Sequence, residues 1–390
     1  MRTVCLLAIF ATALASQIYD NDNTSTTIAD QLPKMEAEFG PLVSAADDAE
    51  AGDDEQVQAT KVPLYANPIG AGLAYKILQV PDMHFTGLSL YPCTGKPADM
   101  VICVEAHMKK MLGRMLDDVK PDFVVFTGDQ IEAMHFPHTK SASGTIRTYA
   151  AEVINRGLPW ATVFGNHDEN FDLPTLVANK DAQMSFIQTL PKSYSKAGPK
   201  GIGGVSNYQL AIQAPSNGFW GARDIDVLRF YFVDTGKDGV VTTQQHAYME
   251  DLAHAHADQD VPALMFFHIP TPHYKNFTGV GQGAKGEAVS SGKDNAGLFD
   301  TMVAMGDVKA SFVGHDHYND YCFYEAPLHL CYGGGVGYGA AYGKADHART
   351  ARVIEWNVTA EHETIVTWLY RQGSNNANPA KYTIFERVLP

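Results

Sequence analysis

The sequence predicts an α/β fold in which two packed mixed β-sheets are flanked by helices. From about residue 70, short apolar segments alternate with segments of helical spacing, which is typical of strands joined by helices. After residue 317, short strand-like segments follow one another, which indicates a second sheet. The chain has 390 residues, of which 45% are hydrophobic, so it can bury a substantial core.

The start of the chain, residues 1–16, has the composition of a cleaved secretory signal. Arg2 precedes an apolar run that ends at Ala15, where small residues suit a signal peptidase. A membrane anchor is the alternative, but the run is shorter than the roughly 20 apolar residues that cross a bilayer. We therefore expect a secreted protein without a membrane partner, either extracellular or directed to a vacuolar or lysosome-like compartment.

Residues 17–69 form an acidic segment that we interpret as a mobile leader, followed by a single folded domain at 70–390. Asp, Glu, Ala, Thr and Ser dominate this segment up to about residue 61, and such a composition does not favour a packed core. An inhibitory propeptide is the alternative to a solvated tail.

The cysteines predict disulfide bonds. Loss of the signal removes Cys5 and leaves an even number, as expected in an oxidising compartment. Local spacing favours Cys93 with Cys103 and Cys322 with Cys331, although three connectivities are possible. A four-cysteine zinc site is disfavoured because no C-x-x-C spacing occurs.

The charge balance argues against nucleic acid as a partner. The chain has 29 basic and 44 acidic residues, a formal charge of −15, and no cluster of Lys and Arg that could follow a phosphate backbone. The sequons at Asn23, Asn276 and Asn357 fit a secreted glycoprotein.

The predicted strands of the first part are short apolar runs. They lie at residues 75–80, 123–126, 160–164, 228–233, 263–267 and 308–313. Helical spacing lies between them, at 101–119, 145–156, 173–190 and 242–257. The later strand-like runs, assigned to the second sheet, lie at 321–325, 328–332, 352–358 and 364–370.

Five of the predicted strands end in carboxylate, imidazole or amide side chains. Ligands gather at the carboxyl ends of strands in open α/β sheets, because the loops there meet in one crevice. These three chemical groups suit Mn²⁺, Fe or Zn²⁺. The candidate metal ligands are Asp82, His84, Asp129, Asn166, His268, His315 and His317. This set is too large for one tetrahedral ion, so we expect two ions about 3.5–4 Å apart.

The order of these residues along the chain resembles a known family. The motifs are Asp82-Met83-His84, Gly128-Asp129, Gly165-Asn166-His167-Asp168, His268 and Gly314-His315-Asp316-His317. Across about residues 75–320, the series resembles that of the calcineurin-like metallophosphoesterases. The stretches 164–169 and 267–270 are similar to the small purple-acid-phosphatase-like branch of plants and fungi.

The resemblance implies a role for each residue. Asp82, His84 and His317 would hold one metal, Asn166, His268 and His315 would hold the other, and Asp129 would bridge them. His167 would stand beside the metals as a general acid or an electrostatic clamp. A metal-bound hydroxide would then attack phosphorus directly, without a phosphoenzyme.

Glu132 marks a departure from the true purple acid phosphatases. Those enzymes carry a tyrosine metal ligand three residues after the bridging aspartate, where this chain has Glu132, and they have Asp-x-Gly where this chain has Asp82-Met83-His84. The resemblance therefore implies a colourless protein. Glu132 either orients His167 or is an exposed loop carboxylate.

Three further histidines in loops, His135, His138 and His273, are weaker candidates for substrate contact. The glycine-rich stretch 333–339 fits a tight loop at the rim of the site better than a phosphate cradle, because no helical pattern follows it.

The sequence leaves three functions open, and a phosphate ester is the substrate in the first two. Hydrolysis of phosphomonoesters is favoured, and a nucleotide phosphodiesterase or pyrophosphatase is the alternative on the same metal core. A catalytically inert secreted binding protein is the third, although no candidate ligand is missing.

Overall fold

The computed structural model describes residues 61–97, 100, 102–134, 142–169, 179–292 and 296–389. The predicted signal, most of the predicted leader, Asn23, His135 and His138 lie outside these residues. The first strand begins at Leu64, so the folded part starts earlier than the predicted boundary at residue 70.

The described residues form fourteen strands. They are β1 (Leu64–Tyr65), β2 (Asn67–Ile69), β3 (Gly72–Val80), β4 (Phe123–Thr127), β5 (Trp160–Val163), β6 (Tyr208–Gln213), β7 (Asp226–Val233), β8 (Ala263–Phe267), β9 (Val308–Val313), β10 (Cys322–Glu325), β11 (Leu328–Tyr332), β12 (Thr350–Val358), β13 (His362–Arg371) and β14 (Tyr382–Val388).

Five α-helices and one short 3₁₀-helix accompany the strands in the same part of the chain. The α-helices are α1 (Ala106–Val119), α2 (Ala142–Asn155), α3 (Lys180–Thr189), α4 (Thr243–His254) and α5 (Ala296–Met305). The 3₁₀-helix is Pro272–Asn276. Helix α4 begins at a capping box, in which the Thr242 side chain and the Gln245 side chain each bond the other's backbone N–H.

The strands form two mixed sheets, which confirms the predicted fold class. Sheet I has the order β1-β6-β7-β8-β9-β11-β10, and sheet II has the order β14-β13-β12-β3-β4-β5, with β2 paired to β3. Strands β7, β8 and β9 are parallel in sheet I, and β3, β4 and β5 are parallel in sheet II.

The strands after residue 317 do not form a sheet of their own, so that expectation was wrong. Strand β11 pairs with β9 in sheet I, whereas β12 pairs with β3 in sheet II. The two groups of late strands therefore complete different sheets. Strand pairing between distant segments is not encoded in local periodicity, which explains the error.

Side-chain alternation builds a core on each side of each sheet. In β4, Phe123 and Val125 lie in the core between the two sheets, while Val124 and Phe126 lie in the core under α1, α2 and α3. A third core packs α4 and α5 against sheet I. Because both faces of the central strands are buried, these strands read as continuous apolar runs.

Both predicted disulfide bonds are present. Cys93 is bonded to Cys103, and Cys322 to Cys331. The second bond joins residues that are directly opposite each other in β10 and β11. Within the described ranges, no helix has both the length and the apolar composition that a membrane span needs.

Loss of either disulfide should lower the free energy of unfolding. The bonds close loops with sequence separations of 10 and 9, for which chain entropy gives at most about 3 kcal/mol each. We expect losses within this limit when urea unfolding of the paired Cys→Ser variants is compared with wild type. Dithiothreitol should destabilise wild type and leave a variant lacking all four cysteines unchanged. Free thiols at these positions in unreduced wild type would contradict the assignment.

Candidate metal centre

The structure brings the seven predicted ligands to one place, at the carboxyl ends of parallel strands. Three of these strands belong to sheet II and two to sheet I. Asp82 and His84 follow β3, Asp129 follows β4, Asn166 follows β5, His268 follows β8, and His315 and His317 follow β9. Strand ends from both sheets therefore meet at the place where these side chains lie.

The donor atoms form neighbouring groups. Within each group, one donor atom per residue lies within 4.8 Å of the others, and the groups are Asp82–His84–His317 and Asp129–His268–His315. Oδ2 of Asp129 lies 3.6 Å from Nε2 of His84 and 3.0 Å from Nε2 of His268. This carboxylate therefore touches one imidazole from each group.

Asn166 stands between two residues that contact Asp129, and its amide oxygen has no hydrogen-bond partner among the described residues. The N–H of the next residue, His167, donates to Oδ1 of Asp129 over 2.7 Å. Gly165 precedes Asn166, and a side chain there would collide with Oδ1 of Asp129. The absence of a side chain at Gly165 lets these two loops approach each other closely.

Four of the candidate ligands have backbone conformations that are uncommon for residues other than glycine. The φ angles are 51° for Asp82, 50° for His84, 51° for Asp129 and 76° for His315. Such conformations cost about 1–3 kcal/mol each and concentrate at functional sites. Hydrogen bonds hold them here: the N–H of His84 donates to the Asp129 carbonyl, and the N–H of His315 donates to the Asp82 carboxylate.

Asp168 holds two of the loops together. Its carboxylate is buried and accepts backbone N–H groups from Asp129, Gln130, Ile131 and Gly165, over 2.7–3.1 Å. Burial raises the pKa of Asp168, as does the charge of Asp129, while the N–H groups favour the charged form. This role of Asp168 was not predicted from the sequence. It could have been, because an acidic side chain in a short turn commonly accepts hydrogen bonds from nearby backbone N–H groups.

Fixed acceptors orient three of the imidazoles. Nδ1 of His84 donates to Glu132 over 2.8 Å, and Nδ1 of His268 donates to the Thr127 carbonyl over 2.9 Å. Nδ1 of His317 donates to the Tyr342 carbonyl over 3.1 Å. Because a carbonyl oxygen can only accept, Nδ1 of His268 and Nδ1 of His317 carry a proton, so Nε2 is the nitrogen that faces the centre and could bind a cation in place of a proton.

The residues fit a pair of metal ions with nitrogen and oxygen ligands. Nε2 of His84, Nε2 of His268 and Oδ1 of Asn166 are buried without a hydrogen-bond partner among the described residues, although buried polar atoms are normally paired. Nε2 of His268 is 3.0 Å from Asp129 but is not aligned as a hydrogen bond. Nε2 of His317 is 3.5 Å from Oδ1 of Asp82. Ligand atoms at about 2.1 Å from one ion lie about 3–3.5 Å apart, which is close to this spacing.

The electrostatics of the centre favour positive charge. Burial opposes the charged form of His268, but Asp129 and Asp82 raise its pKa to about 10. Burial likewise opposes the ionised form of Asp129, yet His268 and His167 hold its pKa well below its usual value. His315 differs, because burial and the neighbouring His268 lower its pKa to about 4. Buried carboxylates of this kind attract a divalent cation.

Glu132 connects the centre to His167. Its carboxylate accepts Nδ1–H from His84 over 2.8 Å and from His167 over 2.9 Å, and its side chain is 1% exposed. It is therefore not an exposed loop carboxylate. His84, Glu132 and His167 also lie close enough to form a metal-ligand group. Here, however, both imidazoles turn Nδ1–H towards Glu132 as hydrogen-bond donors, which is the arrangement of an ion pair.

His167 is partly exposed, with 21% of its side chain accessible. Since Nδ1 contacts Glu132, Nε2 is the nitrogen that a substrate can meet. Burial lowers the pKa of His167, but Asp129 and Glu132 outweigh it and raise the pKa to about 9. Burial also opposes ionisation of Glu132, whose pKa is held well below its usual value by hydrogen bonds from His167 and His84.

The glycine-rich loop 333–339 lies against the centre, as the sequence suggested. The N–H of Gly337 donates to the Asp82 carbonyl, and Gly335 packs against His317. His273 has a different environment: its ring stacks on Phe299 of α5, with centroids 4.1 Å apart.

Comparison with known proteins identifies the family of this chain. Residues 75–319 match the family model described as Calcineurin-like phosphoesterase. The chain is 34% identical over 306 residues to probable inactive purple acid phosphatase 29 of Arabidopsis thaliana, covering 72% of this chain and 76% of that protein. It is 30% identical over 328 residues to Phosphatase DCR2 of Saccharomyces cerevisiae, covering 77% of this chain and 54% of that protein.

A solved structure shows the same fold. The crystal structure of a dimetal phosphatase from Danio rerio superposes with a TM-score of 0.50 at 12% sequence identity, covering 80% of this chain and 99% of that chain. The motif series, the paired sheets and the matched sequence together lead to one conclusion: this chain belongs to the calcineurin-like phosphoesterase family.

Proposed function

We propose that the protein is an active dimetal phosphoesterase that hydrolyses phosphate monoesters. The observation that carries this proposal is the pair of adjacent donor groups, with Asp129 in contact with an imidazole of each. Asp82, His84 and His317 would hold one ion, and Asn166, His268 and His315 the other. The donor set is compatible with Mn, Fe or Zn.

The names of the relatives point in two directions on activity. The Arabidopsis protein is named a probable inactive purple acid phosphatase, whereas the yeast protein is named a phosphatase. For this chain, activity is supported by its own residues, since a metal-binding side chain is present at all seven donor positions and a histidine is present at position 167. The phosphatase names favour monoesters over diesters, although they belong to those proteins.

The catalytic contribution of the protein would come from charge placement and proton transfer. Two bound ions would supply Lewis-acid stabilisation of the phosphoryl oxygens and a nucleophile from water. Glu132 would hold His167 through Nδ1 and stabilise its charged form, which leaves the Nε2 proton for the leaving group. As the bond from phosphorus to the ester oxygen breaks, His167 would donate this proton to the departing oxygen.

A substitution at Asp129 should disable both ion sites together. In Asp129→Asn, one charge is lost from the carboxylate between the groups, so we expect kcat to fall at least about 10²-fold. Metal analysis of the same sample should find one ion or fewer per chain. Asp258→Asn, at an exposed position, is the matched control and should retain both activity and metal. Normal turnover with two ions in Asp129→Asn would remove Asp129 from its bridging role.

Loss of His167 should affect substrates according to their leaving groups. A general acid contributes about 10²–10⁴-fold, and more when the leaving group is basic. His167→Ala should therefore reduce kcat/KM for an alkyl phosphate much more than for nitrophenyl phosphate, with metal content unchanged. The exposed His254→Ala variant should match wild type on both substrates. Equal losses on the two esters would exclude proton donation, and loss of metal would make His167 a ligand.

We also infer that the protein is secreted. The signal-like composition of residues 1–16 supports this, as do two disulfides, which persist in oxidising compartments. Of the three sequons, Asn276 is exposed in the 3₁₀-helix, and Asn357 lies within β12.

The N-terminus of the mature protein tests secretion. Expressed with its full sequence in a eukaryotic host, the protein should appear in the medium with an N-terminus near Gln17. Replacing Leu6 and Leu7 by Arg should keep it in the cell, because charge interrupts the apolar run. Leu32→Arg, outside the run, is the control. Cell-associated wild type that retains Met1 would refute the inference.

A further inference from the structure

Tyr342 contacts the candidate ligand His317 in three ways. Its ring stacks on the imidazole, with centroids 3.8 Å apart and planes 9° from parallel. Its hydroxyl oxygen accepts the backbone N–H of His317 over 2.9 Å. Its carbonyl oxygen accepts Nδ1–H of His317 over 3.1 Å. Backbone, ring nitrogen and ring face of one ligand are thus all set by a single residue.

Glu287 holds Tyr342 in this orientation. The Tyr342 hydroxyl donates to Oε1 of Glu287 over 2.8 Å, and the same oxygen accepts the N–H of Tyr318 over 2.8 Å. The N–H of Glu287 in turn donates to Oδ1 of Asn319, which is fully buried. Tyr342 is therefore tied to the chain segment that directly follows His317.

The loop that carries Tyr342 is also attached to the other side of the same donor group. The N–H of Ala340 donates to the carbonyl of His84 over 3.2 Å. Gly337, earlier in this loop, donates to the carbonyl of Asp82. The second group is held differently: the Thr127 carbonyl fixes the His268 imidazole, and Tyr342 meets His315 only through a long hydrogen bond of 3.4 Å from its hydroxyl to the backbone carbonyl. The contacts of Tyr342 with a candidate ligand's imidazole are therefore contacts with His317.

The position of Tyr342 is not that of a core residue. It is 42% exposed and is not among the residues of the three described cores, so its loss should lower the stability of the fold less than the loss of a core tyrosine would. A tyrosine with this exposure and three contacts to one histidine is better placed to orient that histidine than to stabilise the protein.

We propose that Tyr342, anchored by Glu287, is a positioning residue that sets the cation affinity of the Asp82–His84–His317 group separately from the second group. The inference rests on the proposed two-ion function. Groups that orient metal-binding histidines typically change metal affinity 10–100-fold when they are lost.

The test is a calorimetric titration of metal-free protein with Zn²⁺, read as two binding sites. Tyr342→Ala should weaken one site about 10–100-fold and leave the other at its wild-type affinity. Tyr342→Phe retains the stacked ring and the carbonyl, so it should give a smaller loss at the same site. The melting temperature of each metal-free variant should stay near that of wild type. Tyr324→Ala, which removes another exposed tyrosine, should bind as wild type does.

Glu287 variants test the anchor at a distance from the ligand. Glu287→Gln keeps an amide oxygen that can accept both bonds, so it should bind Zn²⁺ nearly as wild type does. Glu287→Ala removes the acceptor and should weaken the same single site as Tyr342→Phe.

The possible failures can be separated. If wild type binds two ions and Tyr342→Ala does too with unchanged affinities, the positioning role is overturned while the proposed function stands. If Tyr342→Ala weakens both sites equally and lowers the melting temperature of the metal-free protein, the residue is structural and the inference is also overturned. If wild type binds no ion pair, the proposed function fails and this inference fails with it.

Discussion

The burial of Asp82 and Asp129 among histidines is the constraint on which the rest of the centre depends. Both carboxylates are at most 1% exposed, and a buried charge is expensive unless something neutralises it. Nearby imidazoles reduce this cost, and the raised pKa values of His268 and His167 reflect the same demand for positive charge. Among the described residues, Nε2 of His84 and Nε2 of His268 have no hydrogen-bond partner, and a cation would satisfy these imidazoles together with the carboxylates.

Placing the candidate ligands around this centre requires backbone conformations that residues other than glycine rarely adopt. Four ligand residues other than glycine have positive φ angles, and hydrogen bonds from neighbouring loops keep them there. Asp168 joins the loops after β4 and β5, while Glu132, Thr127 and Tyr342 each fix one imidazole. The ligands come from two sheets, so these outer residues determine whether the two halves meet at the spacing a metal pair needs.

The residues around this centre resemble those of the family but differ at one position from those of the purple acid phosphatases. All seven candidate ligands lie within residues 75–319, which match the calcineurin-like phosphoesterase family model. Glu132 stands at the position where purple acid phosphatases carry their tyrosine ligand, and its carboxylate faces two histidines. The glutamate at this position thus holds His167 in place. Loops in proteins generally vary more than the strands they join, so the loops around the strand ends would determine substrate choice.

The sequence by itself determined the strands that carry the candidate ligands and the polar residues that the structure brings together at their ends. Each of these strands is an apolar run that ends in a polar motif, and local composition is enough to recognise such a pattern. The spacing of Cys93 with Cys103 and of Cys322 with Cys331 likewise indicated both disulfides, because each pair lies close along the chain.

Only the tertiary structure decided which strands are neighbours and which residues support the ligands. Strands β1, β2, β6 and β14 and helix α5 were not predicted, and β10 to β13 were assigned to one sheet when they belong to two. The contacts of Tyr342 with His317 and of Asp168 with Asp129 join residues that are 25 and 39 positions apart. Such contacts depend on how the sheets pack and on where the loops cross. The hydrophobic periodicity of a single segment does not specify which distant segments it will contact.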